Sequence, residues 1–267
     1  MSRKRKSNPT NHIPLYTKYR PEKVEDMHGS NPVLRSIKSM LKNGIPHALL
    51  FQGEAGCGKT TTARIIANEL GCSDLDLKEI DITHYGGVET IRQLRTSMGT
   101  KPMKGKVKVW ILDEAHKLSN DAKKALLKIL EEPPNHCYFI LCSTEPNSLT
   151  KPVLSRCTSF TMKPLSEKQT VDFLNTIAGK ESIELPEGVA EAIAKSSQGS
   201  PRTSLVKLDA IMHLPQEEML DALDAHVDEE SEAIELARSL VKRDWKIVSS
   251  KLKGVKGEPE SLRRMIR

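Results

Sequence analysis

Aromatic residues are scarce in this chain and make up 4% of its 267 residues. Their scarcity argues against a large β-sandwich or barrel, because strands favour aromatic and β-branched side chains. It also weakens any model in which nucleic-acid bases stack on aromatic platforms. Long apolar runs are lacking as well, since none approaches the roughly 18 residues of a membrane-spanning helix. No apolar stretch follows the basic first residues, so we expect neither a signal peptide nor a membrane partner.

Paired cysteines are also missing. The five cysteines are scattered, and no two of them form a Cys-x-x-Cys pair. This pattern is typical of reduced thiols and predicts a cytoplasmic protein without a disulfide framework. The charge balance is mildly basic, with 41 Lys and Arg against 35 Asp and Glu. Such an excess is compatible with a polyanionic partner but does not demonstrate one.

Helical and strand patterns alternate along the first two thirds of the chain. Helical spacing of apolar residues is found over 33–43, 60–70 and 121–132, and short apolar runs typical of buried strands are found over 48–51, 107–112 and 137–142. Alternation of this kind predicts an α/β fold with a parallel sheet. After Pro164 the pattern becomes helical, with a capping box from Ser166 to Gln169 and helices over 167–178, 187–197 and 202–213.

A phosphate-binding loop follows the first predicted strand. Residues 53–60 read Gly-Glu-Ala-Gly-Cys-Gly-Lys-Thr and match the P-loop pattern G-x-x-x-x-G-K-[ST] at every fixed position. Glycines let the backbone N–H groups turn towards phosphates, and the following helix N-terminus adds partial positive charge. We expect Lys59 to reach the β- and γ-phosphates of a nucleotide and Thr60 to hold Mg²⁺.

Two adjacent carboxylates end the second predicted strand. Asp113 and Glu114 lie where ligands of open α/β sheets gather, at the carboxyl end of a strand. Asp113 is suited to help hold the metal, and Glu114 to polarise an attacking water. Acidic pairs at strand ends can also be plain helix caps, and the P-loop upstream favours the functional interpretation.

Five segments follow one another in a fixed order along the chain. They are Thr-Lys-Tyr-Arg-Pro at 17–21, the P-loop at 53–60, Ile-Leu-Asp-Glu-Ala-His-Lys-Leu-Ser at 111–119, Ala-Leu-Leu-Lys-Ile-Leu-Glu-Glu-Pro-Pro at 125–134 and Leu-Ser-Arg-Cys at 154–157. In this order they resemble the AAA+ ATPases of sliding-clamp loaders, and most of all the gamma/tau subunits of bacterial DNA polymerase III. The last two segments are the most specific, and the resemblance covers about residues 14–210.

The resemblance implies an AAA+ architecture in which an α/β nucleotide domain carries a helical lid and a helical collar. The predicted regions are a disordered basic tail over 1–12, the nucleotide-binding domain over 13–165, the lid over 166–213 and a collar segment over 214–267. The collar segment is shorter than the family's full set of helices, so we expect either a compact, viral or divergent version of the family or a truncated chain. The family's bacterial members also carry a four-cysteine zinc module after the P-loop helix, where this chain has only Cys72, so we predict no zinc.

The resemblance also assigns roles residue by residue. Lys59 and Thr60 match the phosphate-binding lysine and the metal ligand, and Asp113 and Glu114 match the metal-holding and water-activating acids. The other matches are Tyr19, Arg20 and Pro21 on the base side of the nucleotide, Gly53, Glu54, Ala55, Gly56, Cys57, Gly58 and Thr61 in and after the loop, Thr144 as sensor 1, Arg202 as sensor 2, and Arg156 as an arginine finger offered to a neighbouring subunit.

Four of these assignments have a plain structural alternative. Thr144 could cap a strand end, and Tyr19 could pack in the core without touching a ligand. Arg156 could pair with a surface acid, and Arg202 could be an ordinary exposed helix residue.

The segment Gly-Val-Glu-Thr-Ile-Arg at 87–92 resembles the family's helix start that faces DNA. This likeness implies phosphate contacts by Arg92, and by Lys124 and Lys128 on the next helix. Such contacts position a duplex without reading its sequence. A solvated helix face is the rival interpretation.

Together these features predict an ATP-driven, Mg²⁺-dependent motor subunit of a clamp loader in DNA replication. Its partners would be a sliding clamp, the other loader subunits of a five-membered ring, and primer–template DNA. The alternatives are a structural subunit of such a complex that does not hydrolyse ATP, and another AAA+ ATPase that remodels DNA.

Overall fold

The computed structural model describes residues 12–223. The predicted basic tail up to residue 11 and the predicted collar beyond residue 223 lie outside the described residues. Within the described range, no helix combines the length and the apolar character needed to cross a membrane.

Five parallel strands form one sheet. They are β1 (Ala48–Gln52), β2 (Leu77–Asp81), β3 (Lys108–Asp113), β4 (Cys137–Ser143) and β5 (Thr158–Thr161). Their order across the sheet is β2-β3-β4-β1-β5. Because all the pairings are parallel, the carboxyl ends of the strands share one edge. Gln52 pairs there with Ser143, and Asp81 with Asp113.

The three central strands are the ones that the sequence predicts. β1, β3 and β4 are covered on both faces, so their residues form unbroken apolar runs. The edge strands β2 and β5 are not predicted, because exposed polar side chains interrupt their apolar residues. Examples are Lys78 and Glu79 in β2 and Ser159 in β5.

Helices cover both faces of the sheet. In chain order they are α1 (Leu15–Lys18), α2 (Asn31–Asn43), α3 (Lys59–Glu69), α4 (Ile82–Tyr85), α5 (Val88–Met98), α6 (Asn120–Glu131), α7 (Lys151–Leu154), α8 (Glu167–Lys180), α9 (Val189–Ser196) and α10 (Pro201–Ile211). Consecutive strand residues point to opposite cores: Leu50 packs with α5 and α6, and Phe51 packs with α2 and α3. This arrangement confirms the predicted α/β class.

A third core belongs to the helices after residue 166, where the described chain contains no strand. Its centre is formed by side chains of α8, α9 and α10, including Leu174, Ile193 and Leu208. The predicted capping box is confirmed, because the Ser166 hydroxyl and the Gln169 side chain each accept a backbone N–H. Leu15 of α1 is buried in this same core, so the N-terminal segment packs against the helical region.

Candidate nucleotide-binding site

A pocket lies between the P-loop edge of the sheet, the N-terminal segment and the helical region. The residues that line it come from parts of the chain that are far apart in sequence. They include residues 16–17 and 19–21, P-loop residues 55–61, Asp113 and Glu114 after β3, Phe173 of α8, and Pro201, Arg202 and Leu205 of α10. Chain segments separated by nearly two hundred residues therefore meet at one site.

Two glycines of the P-loop have left-handed backbone conformations that favour glycine. Gly56 and Gly58 have φ of +77° and +95°, a region that L side chains rarely adopt. A Cβ on Gly56 would also clash with the hydroxyl of Ser200, the N-cap residue of α10. The loop therefore touches the helical region directly, and a side chain at position 56 would push the two apart.

Lys59 is the first residue of α3, and its side chain is 6% exposed. Its ammonium donates to the carbonyl oxygens of Gly53 at 2.9 Å and Glu54 at 2.8 Å, which places the charge inside the curve of the loop. Burial raises the pKa of the Cys57 thiol, so this loop side chain stays uncharged at neutral pH. The positive charge of Lys59 is thus available to an anion in the pocket without a competing thiolate.

Thr60 and Asp113 are brought together from two different elements. The Thr60 hydroxyl donates to Asp113 Oδ2 at 2.8 Å, joining the start of α3 to the end of β3. Hydroxyl and carboxylate oxygens are the ligands that Mg²⁺ prefers, and Mg²⁺ usually takes its remaining ligands from phosphates and water. The pair fits that role, because it supplies two such oxygens beside the phosphate loop. Among the residues described here, no group of three or more His, Cys, Asp or Glu could hold a metal ion.

Glu114 has an unusual backbone conformation for a non-glycine residue. Its φ of 53° and ψ of 40° are left-handed, and it precedes a short 3₁₀ helix, Ala115–Lys117. Its Oε2 accepts a hydrogen bond from the Thr144 hydroxyl at 3.3 Å. Thr144, which follows β4, therefore meets the predicted water-activating acid.

Arg20 and Arg202 line the pocket from its two sides. Arg20 Nε donates to the Thr61 hydroxyl on α3 at 3.2 Å. Burial lowers the pKa of Arg20, and the nearby charge of Arg64 lowers it further, yet a guanidinium of this kind stays charged at neutral pH. Arg202 is exposed in the first turn of α10 and lines the same pocket.

Tyr19, the residue before Arg20, connects the N-terminal segment to the helical region. The Tyr19 hydroxyl donates to Glu181 at the end of α8, and the same carboxylate accepts from Lys18 Nζ at 2.6 Å. Tyr19 also lines the pocket, so the site and the helical region share one side chain. Adjacent residues Tyr19 and Arg20 thus bond to α8 and α3 respectively.

Four further lining residues have no signal in the sequence. They are Met27, His28, Phe173 and Leu205, and the ring centroids of His28 and Phe173 are 4.9 Å apart. They belong to no local motif and meet only through the packing of α8 and α10 on the N-terminal segment.

Comparisons with known proteins agree with this geometry. Residues 76–166 match the family model described as DNA polymerase III, delta subunit. The chain is 36% identical over 217 residues to DNA polymerase III subunit tau of Bacillus subtilis, and 35% identical over 222 residues to DNA polymerase III subunit gamma of Buchnera aphidicola. The chain is similar in sequence to these DNA polymerase III subunits, and this similarity supports an AAA+ module of the clamp-loader type.

The chain spans only part of the length of those relatives. The matches cover 73% and 75% of this chain, but 38% of the Bacillus protein and 62% of the Buchnera protein. Among solved structures, a RuvB Holliday junction branch migration motor of Thermotoga maritima has a TM-score of 0.66 at 19% identity, with 89% of this chain and 86% of that one covered. At this identity the likeness shows the fold.

Arg156 does not line this pocket. It follows α7, where Nη2 donates to Glu131 Oε1 at 2.6 Å and Nη1 donates to the carbonyl oxygen of Pro152 at 3.0 Å. The exposed guanidinium therefore has a surface acid as partner within the chain. Its assignment as a finger for a neighbouring subunit stays a prediction, as does the absence of zinc.

The three predicted DNA-contacting residues lie together. Arg92, Lys124 and Lys128 line one groove between α5 and α6, and Arg95, which the resemblance does not single out, lines it too. Two of these cations pair weakly with acids on their own helices, Arg92 with Glu89 at 3.5 Å and Lys124 with Asp121 at 3.4 Å. The groove concentrates positive charge on one face of the module.

Proposed function

We propose that this chain is an ATP-driven motor subunit of a sliding-clamp loader, which binds and hydrolyses ATP to open a ring-shaped clamp and load it at primer–template junctions. One observation carries the proposal: the P-loop lysine, the Thr60–Asp113 pair and Glu114 converge on a single pocket. The similarity to DNA polymerase III gamma and tau subunits supports the clamp-loading part.

The residues divide the chemistry as follows. The loop N–H groups and Lys59 bind the triphosphate, while Thr60 and Asp113 hold Mg²⁺, which neutralises phosphate charge when bound. Glu114 orients the attacking water and accepts its proton. Thr144, whose hydroxyl donates to that carboxylate, would act as sensor 1 for the γ-phosphate.

The helical region over 166–213 acts as the lid on the nucleotide domain in this proposal. Arg202 reaches the pocket from α10, so a bound triphosphate would connect the two parts. The close approach of Gly56 to Ser200 and the Tyr19–Glu181 bond supply two further connections.

The partners belong to the same proposal. A neighbouring subunit of a five-membered ring would receive Arg156, which would exchange Glu131 for the neighbour's γ-phosphate. Primer–template DNA would lie along the basic groove between α5 and α6, where phosphates attract its four cations irrespective of base sequence. Such work would take place in the cytoplasm, with the clamp bound to the ring.

The test is ATP hydrolysis by this chain mixed with candidate loader subunits, clamps and primed DNA. We expect clamp and primer together to stimulate turnover. Turnover without any response to a clamp would instead indicate another AAA+ DNA-remodelling ATPase, and ATP binding without turnover in the full mixture would indicate a structural subunit.

A variant of Lys59 tests the assignment of the phosphate site. Lys59→Ala should abolish ATP binding, because it removes the ammonium held inside the loop. Equilibrium binding of labelled ATP measures the loss, with Lys42→Ala on the exposed end of α2 as the matched control. Unchanged ATP affinity in the Lys59 variant would contradict the assignment of the phosphate site.

A further inference from the structure

His116 is a nearly buried side chain beside Glu114 that the hydrolysis scheme above does not use. Its side chain is 8% exposed, and its Nδ1 lies 3.2 Å from Glu114 Oε2. The Ser143 hydroxyl oxygen is 3.5 Å from the same nitrogen. The ring is therefore a buried polar group in contact with the predicted water-activating carboxylate.

The two neighbours of Nδ1 correspond to the two tautomers of the ring. An ionised carboxylate has no hydrogen and can only accept, so a hydrogen bond to Glu114 requires Nδ1–H. In the Nε2–H tautomer, Nδ1 would instead accept from the Ser143 hydroxyl, whose oxygen accepts from the backbone N–H of Glu145 at 3.1 Å. Glu114 is the nearer of the two neighbours, at 3.2 Å against 3.5 Å, which favours the Nδ1–H tautomer.

The local backbone brings the ring and the carboxylate together. Glu114 is left-handed, and the 3₁₀ helix Ala115–Lys117 then turns tightly enough for the side chain of residue 116 to return to that of residue 114. Left-handed conformations in non-glycine residues are uncommon and concentrate at functional sites. The left-handed conformation of Glu114 sets the geometry of the predicted general base.

Two polar neighbours of Glu114 lie at the same oxygen. The Thr144 hydroxyl donates to Oε2, and His116 Nδ1 lies 3.2 Å from it, so neither of them occupies Oε1, the oxygen that can face a reacting water. A glutamate side chain has three rotatable bonds, and two donors on one oxygen restrict it to a narrow set of orientations. Holding a general base in reach of its water is what catalysis requires of the surrounding residues.

We propose that His116 is a positioning residue: it donates Nδ1–H to Glu114 Oε2 and, together with Thr144, aims Oε1 at the attacking water. The inference deepens the proposed function and rests on it for the water. The hydrogen bond itself can be tested without any ATP.

Three substitutions separate a hydrogen bond from ring packing. Asparagine places an N–H near the position of Nδ1, phenylalanine keeps a ring without a donor, and alanine removes both. We expect His116→Ala and His116→Phe to lower kcat by about 10- to 100-fold, the cost of one hydrogen bond to a charged group, at unchanged KM for ATP. His116→Asn should recover most of the activity, and His136→Ala, at a half-buried histidine that does not line the pocket, serves as the control.

The opposite ranking would overturn the inference. Activity kept by phenylalanine and lost in asparagine would show that the ring only fills space. Full activity in all three variants would show that Glu114 needs no such partner. Loss in all three, asparagine included, would likewise refute a hydrogen bond as the cause.

A spectroscopic measurement keeps the inference independent of turnover. In the full chain labelled with ¹⁵N-histidine, long-range ¹H–¹⁵N NMR spectra distinguish the two tautomers, and the His116→Asn variant assigns the signal. We expect Nδ1–H in the wild type and a shift towards Nε2–H in Glu114→Ala. An Nε2–H tautomer in the wild type would overturn the inference, whereas a wild type with Nδ1–H that never hydrolyses ATP in the full mixture would overturn the proposed function alone.

Discussion

The sharpest stability prediction concerns Asp76, a carboxylate that is 2% exposed at the start of β2. Its two oxygens accept four hydrogen bonds: from the Ser73 hydroxyl at 2.6 Å, and from the backbone N–H groups of Met103, Lys104 and Gly105 at 2.6, 3.0 and 2.7 Å. These bonds fasten the loop before β3 onto the segment that follows the P-loop helix. We predict that Asp76→Asn weakens the attachment between these two segments and lowers the free energy of unfolding.

The size of the effect follows from the bonds. An asparagine amide can replace one oxygen, but its NH₂ group then faces an N–H donor, and the three remaining bonds lose their charge. One lost bond to a charged group and three weakened ones suggest about 3 kcal/mol. For a domain of this size, that corresponds to roughly 6–12 °C in Tm. Asp74→Asn, an exposed neighbour, should have little effect.

The pH dependence gives an independent check. Burial alone would raise the pKa of Asp76, but the hydrogen bonds from Ser73 and the three backbone N–H groups outweigh it and hold the pKa well below its ordinary value. A depressed folded-state pKa means that the stabilisation is present above the unfolded pKa of about 3.9 and is lost as pH falls through the folded pKa. The difference between wild type and Asp76→Asn should therefore shrink by about 0.7 kcal/mol from pH 7 to pH 3.5.

Urea denaturation of both proteins at the two pH values measures this difference. A destabilisation below about 0.5 kcal/mol at pH 7 is the size of an ordinary surface substitution and would refute the reasoning. So would a difference that stays constant or grows as the pH is lowered.

Three further predictions concern the site and its partners. Glu114→Gln should bind ATP normally and lower turnover by about 100-fold or more, because an amide cannot take the proton of water; undiminished hydrolysis would move that role elsewhere. Arg156→Ala should leave ATP affinity intact and lower hydrolysis in the assembled complex by roughly 10³-fold, and mixing it with Lys59→Ala subunits should restore part of the activity if copies of this chain are neighbours. Arg92→Glu should weaken DNA-stimulated hydrolysis equally on every primer sequence and flatten the salt dependence of DNA binding by about one unit per lost contact; a loss confined to some sequences would indicate base reading instead.

Local patterns in the sequence predict much of the fold. The central strands β1, β3 and β4 are visible as apolar runs because both of their faces are buried, and the helix α6 is delimited by the cap Ser119, whose hydroxyl accepts from the Ala122 N–H. The P-loop is equally local, since its glycines and Lys59 work within eight consecutive residues. The edge strands β2 and β5 are missed because an edge strand tolerates polar residues on its exposed side.

Local patterns do not predict how side chains from distant segments are placed relative to one another. Thr60 and Asp113 are 53 residues apart and meet only because the carboxyl ends of parallel strands share an edge. Phe173 enters the pocket through helix packing, which no local spacing encodes.

By itself the sequence determined the class of the fold, the phosphate loop and the pair of acids, because each of these depends on neighbouring residues and on a regular period. Only the tertiary structure decided that Thr144 and His116 meet Glu114 on one oxygen, that Tyr19 bonds to the end of α8, and that Arg156 has Glu131 as its partner within the chain. These contacts depend on strand register, on one left-handed residue and on rotamers that packing selects. Such properties arise only when distant segments are brought together.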